Sequence, residues 1–114
     1  MGKKQNNNSS LFTFRRYKKK EGGDIKKAKH PKLIIDETKT DLGFMGLTES
    51  PKRGHHKNIE LKQNPQKGKT GKAFIREEVR YDKKRNFSEV LEDYKLSEQD
   101  KQEIIKFLNK KKKR

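Results

Sequence analysis

"KLIIDETKTDLGFMGLTE", residues 32–49, contains two short apolar runs with a polar interval between them. Leu33, Ile34 and Ile35 make the first run, and Leu42, Phe44, Met45 and Leu47 dominate the second. Runs of this length read as buried strands rather than as helices. His30 precedes Pro31, whose ring disfavours a helical conformation at the residue before it, so the chain enters the first run extended. A sheet is therefore expected at the centre of the fold.

Downstream, "KNIELK" (57–62) reads as a third strand with Ile59 and Leu61 pointing inward. Residues 51–54, Pro-Lys-Arg-Gly, have the composition of a tight turn. Residues 63–72, "QNPQKGKTGK", form a polar loop, and "AFIREEVRYD" (73–82) reads as a fourth strand with Phe74, or Ile75 and Val79, facing the core. Phe87, Val90, Leu91 and Tyr94 are spaced for a short helix capped by Ser88 and ending before Lys95. "LSEQDKQEIIKFLNKKKK" (96–113) then opens with Ser97 and, three residues on, Asp100, a variant of the capping box. Ile104, Ile105 and Leu108 make one apolar stripe on that helix, and the Lys run complements its C-terminus. Strands followed by a helix indicate an α+β domain, either a small sheet or a compact barrel with a terminal helix.

Upstream, "LFTFRRY" (11–17) alternates enough for a weak or edge strand anchored by Phe12, Phe14 and Tyr17. The competing reading is an aromatic and basic peptide that orders on RNA, with rings on bases and Arg on phosphate. Residues 18–29 read as a charged linker with a turn at Gly22-Gly23, and "MGKKQNNNSS" (1–10) as a disordered, low-complexity start.

The 114 residues make at most one small domain. A hydrophobic fraction of 26% against 42% charged is close to that of disordered chains, but the deficit is uneven. Of the net +16, residues 1–32 carry +9, residues 110–114 carry +5, and residues 33–109 carry only +2. The expected organisation is a basic, mostly disordered arm (1–27), a folded domain (28–109) and a basic tail (110–114). Charge of this size attracts polyanions. No apolar run approaches the ~20 residues a membrane span needs, and Asn6 stands where myristoylation requires Ser or Thr. No apolar segment follows the basic start, so no secretory signal is expected. The absence of Cys excludes disulfides and thiolate metal sites and fits a reducing cytoplasm.

No metal-binding or cofactor motif is present. His55 and His56 are neighbours and cannot clamp one ion as an i, i+4 pair does, and "GKTGK" (68–72) lacks the spacing of a phosphate loop. Metal-free RNA cleavage asks for less. Attack of a 2′-hydroxyl on the adjacent phosphate needs a proton acceptor, a proton donor and cationic support. Imidazole transfers protons near neutral pH. His30, Thr48, Ser50, His55 and His56 are the candidates for that chemistry. Lys29, Lys32, Lys52, Arg53, Arg76, Arg15 and Arg16 are the candidates for holding nucleic acid. The same residue types also populate solvated hairpins of any very basic protein, and an arm-driven nucleic-acid-binding protein without catalysis fits the composition as well.

Four landmarks occur in order: "KHPKLIID" (29–36), "MGLTES" (45–50), "AFIREEVRYDKKRNF" (73–87) and "YKLSEQDKQEIIKFL" (94–108). This order resembles that of the MazF/PemK-like toxins, including the ToxN-type endoribonucleases, over about residues 28–108. The resemblance implies an SH3-like β-barrel with a C-terminal helix, metal-independent cleavage of single-stranded RNA, dimerisation and a protein or RNA antitoxin. It implies that Thr48 and Ser50 hold phosphate and that His30 stands where the family has Arg before Pro. The chain departs from the family at His30 and in Thr48-Glu49-Ser50, where an acid interrupts the Thr-Ser pair. It also lacks a strand after Gly23-Asp24-Ile25, a role "LFTFRRY" is placed to fill from upstream.

Overall fold

The computed structural model of the protein describes residues 11–18 and 30–112. Residues 1–10, the linker with Gly22-Gly23, Lys29 and residues 113–114 lie outside the described residues, and so do the expectations placed on them.

Two antiparallel strands form the centre, β2 (Lys32–Glu37) and β3 (Asp41–Thr48). Leu33 pairs with Met45 and Ile34 with Phe44 before the register shifts ahead of Asp36. The connecting turn is closed by Thr38, whose N–H donates to the Asp41 carbonyl at 2.9 Å while its hydroxyl oxygen accepts the Asp41 N–H at 3.0 Å. Side chains alternate across a strand. Leu33, Met45 and Leu47 accordingly join one buried cluster, while Ile34, Leu42 and Phe44 join another on the opposite face. Burial on both faces is why both segments are almost continuously apolar.

β1 (Phe14–Tyr17) lies between β2 and β9 (Phe87–Val90), antiparallel to both. The stretch expected at an edge is thus interior, and the fold takes a strand from within residues 1–27. Phe14 is fully buried and Tyr17 nearly so, one on each face. The backbone pairing of β1 with β9 is continued by Lys18 N–H to Asn86 O at 2.7 Å and Leu91 N–H to Phe14 O at 2.8 Å. β9 corrects the helix expected around Phe87, Val90 and Leu91. Ser88 does not cap a helix: its hydroxyl oxygen accepts the Arg16 backbone N–H at 2.8 Å, and the open edge of β1 takes up the β9 backbone. Tertiary pairing overrides a short apolar pattern that fits either period.

The remaining strands are short. β4 (Lys52–Arg53) and β5 (His56–Lys57) form a hairpin turning at Gly54-His55, where Gly54 has φ +60. The turn therefore falls two residues later than residues 51–54, at a backbone conformation that glycine adopts without strain. "KNIELK" breaks at Asn58 into β5 and β6 (Ile59–Glu60). "AFIREEVRYD" likewise divides into β7 (Phe74–Ile75) and β8 (Arg80–Lys83), both antiparallel to β3, after which a 3-10 turn (Lys84–Asn86) leads to β9. One long strand thus carries two short partners end to end.

The sheet is open, in the order β6-β7-β3-β2-β1-β9 with β8 beside β3. Past β6 and β9 the chain is stitched by a bridge between Gln66 and Tyr94. Lys67 N–H to Asp93 O and Lys95 N–H to Pro65 O, each 2.8 Å, flank that bridge.

Helix α1 (Glu98–Lys112) covers one face through Ile104, which is fully buried among Phe14, Leu33, Met45 and Ile75. Burying a side chain of this size contributes about 1.5–3 kcal/mol. The Ser97 hydroxyl oxygen accepts the Asp100 N–H at 3.1 Å, so Ser97 is the N-cap as expected. The Asp100 carboxylate does not turn back to Ser97. It accepts the backbone N–H groups of Lys62 and Gln63 at 2.8 and 3.1 Å, tying the helix start to the chain that follows β6. On the other face Tyr17, Phe44 and Phe87 pack with ring centroids 5.1–5.3 Å apart. Lys32 and Arg80 stand over the Tyr17 and Phe44 rings at 5.9 and 5.3 Å.

Candidate functional site

A cleft of about 190 Å³ opens where the stitched ends of the sheet meet the C-terminal end of β3. Its walls come from four places in the chain: His30 and Pro31, Leu47 to Glu49, a loop from Asn64 to Ala73, and Tyr94. Each is held for an identifiable reason. Pro31 is buried and its carbonyl accepts the Leu47 N–H at 3.2 Å, so His30 is delivered beside the end of β3. Thr48 pairs with Phe74 and is only 6% exposed. Its hydroxyl oxygen accepts the Ser50 N–H at 3.2 Å, which turns the chain sharply and leaves Glu49 and Ser50 in solvent.

The opposite wall is shaped by Asn64. Its side-chain oxygen accepts the Gln66 N–H at 3.0 Å, and its amide donates to Gly71 O at 2.9 Å. Asp100 holds the start of this loop, and the Gln66–Tyr94 bridge holds its middle. Tyr94 enters the cleft with its ring against Phe14, centroids 5.7 Å apart. Lys69 reaches from the loop to the Glu49 carboxylate at 3.6 Å, an ion pair across the two walls. One imidazole, one buried hydroxyl, one amine, one carboxylate and one phenol therefore share the cleft.

His55 and His56 stand elsewhere. They line a second, wider cleft of about 780 Å³ with Arg76, Glu77, Glu78 and Lys111, and the two clefts have no lining residue in common. The structure thus brings His30 to Thr48 and leaves the His pair apart. Ser50 lies one residue beyond Glu49 and offers its carbonyl to the Asn58 side chain at 2.9 Å.

The basic candidates are equally dispersed. Lys32 is buried over Tyr17. Arg15 is half-buried and donates to the Ser88 carbonyl at 3.0 Å. The stem of Arg76 crosses the face of Gly46, where a Cβ would come within 3.2 Å of it. Arg16 and Lys52 are exposed, and Lys29 and the Arg53 side chain are outside the described part.

Sequence reasoning missed Glu49, Gln66, Lys69 and Tyr94 as site residues. Glu49 was visible as the acid inside Thr48-Glu49-Ser50, and Lys69 as part of a basic loop, but nothing local ties either to His30. Among the described residues no group of three or more His, Asp or Glu is placed to hold a metal ion, and no helix is long and apolar enough to cross a membrane. Comparison with protein-family models, curated proteins and solved structures returned no match.

Proposed function

We propose that the chain is an endoribonuclease related to the MazF/PemK-like toxins, cleaving single-stranded RNA without a metal, in a toxin–antitoxin or phage-defence setting. One observation carries this reading: His30 and Thr48, at the adjoining ends of the β2–β3 hairpin, line the same cleft. The family resemblance calls for a basic residue before Pro beside a Thr at a strand end, and that juxtaposition supports it. The stitched ends of the antiparallel sheet, with a helix across one face, support kinship with an SH3-like barrel. On this reading the Thr48 hydroxyl holds a phosphate oxygen and the His30 imidazole transfers a proton. An antitoxin partner, a homodimer and a cytoplasmic setting belong to the same proposal. The test is cleavage of single-stranded RNA oligonucleotides with mapped ends. His30→Ala should lower the rate by about 10²-fold or more with folding intact.

A second reading follows from the +9 and +5 concentrated in residues 1–32 and 110–114. It makes the chain a non-catalytic nucleic-acid-binding accessory of a mobile element. Trimming residues 1–10 and 113–114, which removes +4 of that charge, should then weaken binding and flatten its salt dependence, while His30→Ala should change nothing.

A further inference from the structure

We propose that Glu49 is the proton acceptor of the cleavage reaction and that Lys69, paired with it at rest, is the cation that takes the scissile phosphate; this rests on the endoribonuclease reading above. Cleavage through the 2′-hydroxyl moves two protons, one off the nucleophile and one onto the leaving oxygen. A single imidazole cannot hold both positions in one turnover. His30 is the one imidazole of the cleft, because His55 and His56 line the other. The second group must come from what remains. The Tyr94 ring is packed against Phe14 in the core, and a Thr hydroxyl is a hydrogen-bonding group. Glu49 is the only carboxylate among the described residues lining the cleft, one position beyond Thr48.

Its partner explains how the group is kept ready. Lys69 and Glu49 are 3.6 Å apart with side chains 50% and 69% exposed, a geometry in which an ion pair contributes little. A phosphate entering between the walls offers Lys69 a stronger charge-assisted contact. Substrate then exchanges for Glu49 on the amine, and the carboxylate is released beside the ribose. The Glu49 carboxylate takes the proton of the 2′-hydroxyl as the 2′-oxygen bonds to phosphorus. The bond from phosphorus to the 5′-oxygen breaks, its electron pair leaves on that oxygen, and the His30 imidazolium supplies the proton. The products are a 2′,3′-cyclic phosphate end and a 5′-hydroxyl end, and solvent restores both protonation states.

The experiment measures single-turnover cleavage of a single-stranded RNA oligonucleotide against pH by the full-length chain and by Glu49→Gln, Lys69→Gln and His30→Ala. Thermal melts accompany each variant. Glu49→Gln is expected to lose about 10²–10⁴-fold in rate and the falling limb on the acid side of the profile, with RNA affinity kept or improved. Lys69→Gln is expected to weaken RNA binding and keep that limb. Wild-type rate in Glu49→Gln, or a reduced rate that retains the acid limb, overturns the role of Glu49 while a dead His30→Ala upholds the nuclease reading. A wild-type chain that cuts no RNA overturns both.

Discussion

The Asp100 carboxylate, 1% exposed, accepts the Lys62 backbone N–H at 2.8 Å across 38 residues of chain. With the Gln63 N–H on its second oxygen, it couples the start of α1 to the loop that forms one wall of the cleft. Hydrogen bonds to a charged acceptor are stronger than neutral ones, and a donor left without its partner costs the most. Asp100→Ala should therefore lose about 1–3 kcal/mol of stability, and Asp100→Asn, which keeps one acceptor, should lose less. Urea unfolding with an unchanged slope and a lowered midpoint is the expected outcome.

β1 has strands on both sides, and its Phe14 is fully buried against the helix-covered core. A chain beginning at residue 28 should show no cooperative thermal transition, whereas one beginning at residue 11 should melt like the full chain. Phe14→Ala in the full chain should cost roughly 3–5 kcal/mol, in the range of large aromatic truncations. Circular dichroism melts of the four proteins decide this.

What the sequence made legible follows a simple physical line. β2, β3 and α1 are each long or apolar enough to reveal themselves, and Ser97 announced its cap with a local spacing. The strand after residue 86 did not, because Phe87, Val90 and Leu91 suit a helix unless one knows that β1 offers an open edge. His30 and Thr48 could be singled out by residue type and family resemblance. Lys69 and Tyr94 could not, because their places depend on the Gln66–Tyr94 bridge and on Asp100, contacts made over tens of residues. A site built at the junction of distant segments leaves little trace in any one of them.

The two clefts separate the histidines cleanly. Changing both His55 and His56 to Ala should leave RNA cleavage within a few-fold of wild type, while His30→Ala alone should abolish it. Equal losses from the two proteins would show that the wide cleft takes part in the reaction. The same oligonucleotide assay reads both.

Tyr81 gives a pH signature on the sheet surface. Its hydroxyl donates to Asp36 at 2.6 Å, and its pKa is raised from 10.0, first by that hydrogen bond, then by desolvation and by the Asp36 charge. The unfolded chain thus loses the phenolic proton at lower pH than the folded one. The contribution of this bond to stability is whole below about pH 10 and declines as pH rises through the folded value. Tyr81→Phe should remove that part of the alkaline decline, read as the difference in melting temperature between the two proteins from neutral to strongly alkaline pH.

The stitched seam also sets a schedule. Tyr94 follows His30 by 64 residues, and the cleft has its far wall only once Gln66 and Tyr94 have met. At a synthesis rate of roughly 5–20 residues/s, about 3–13 s pass between the two residues leaving the peptidyl-transferase centre. During that interval His30 and Thr48 are present but face no opposing wall. The nuclease proposed above would be translated from the very kind of molecule it cuts. On the proposed reading, the cleft stays incomplete until Tyr94 has been added and can meet Gln66.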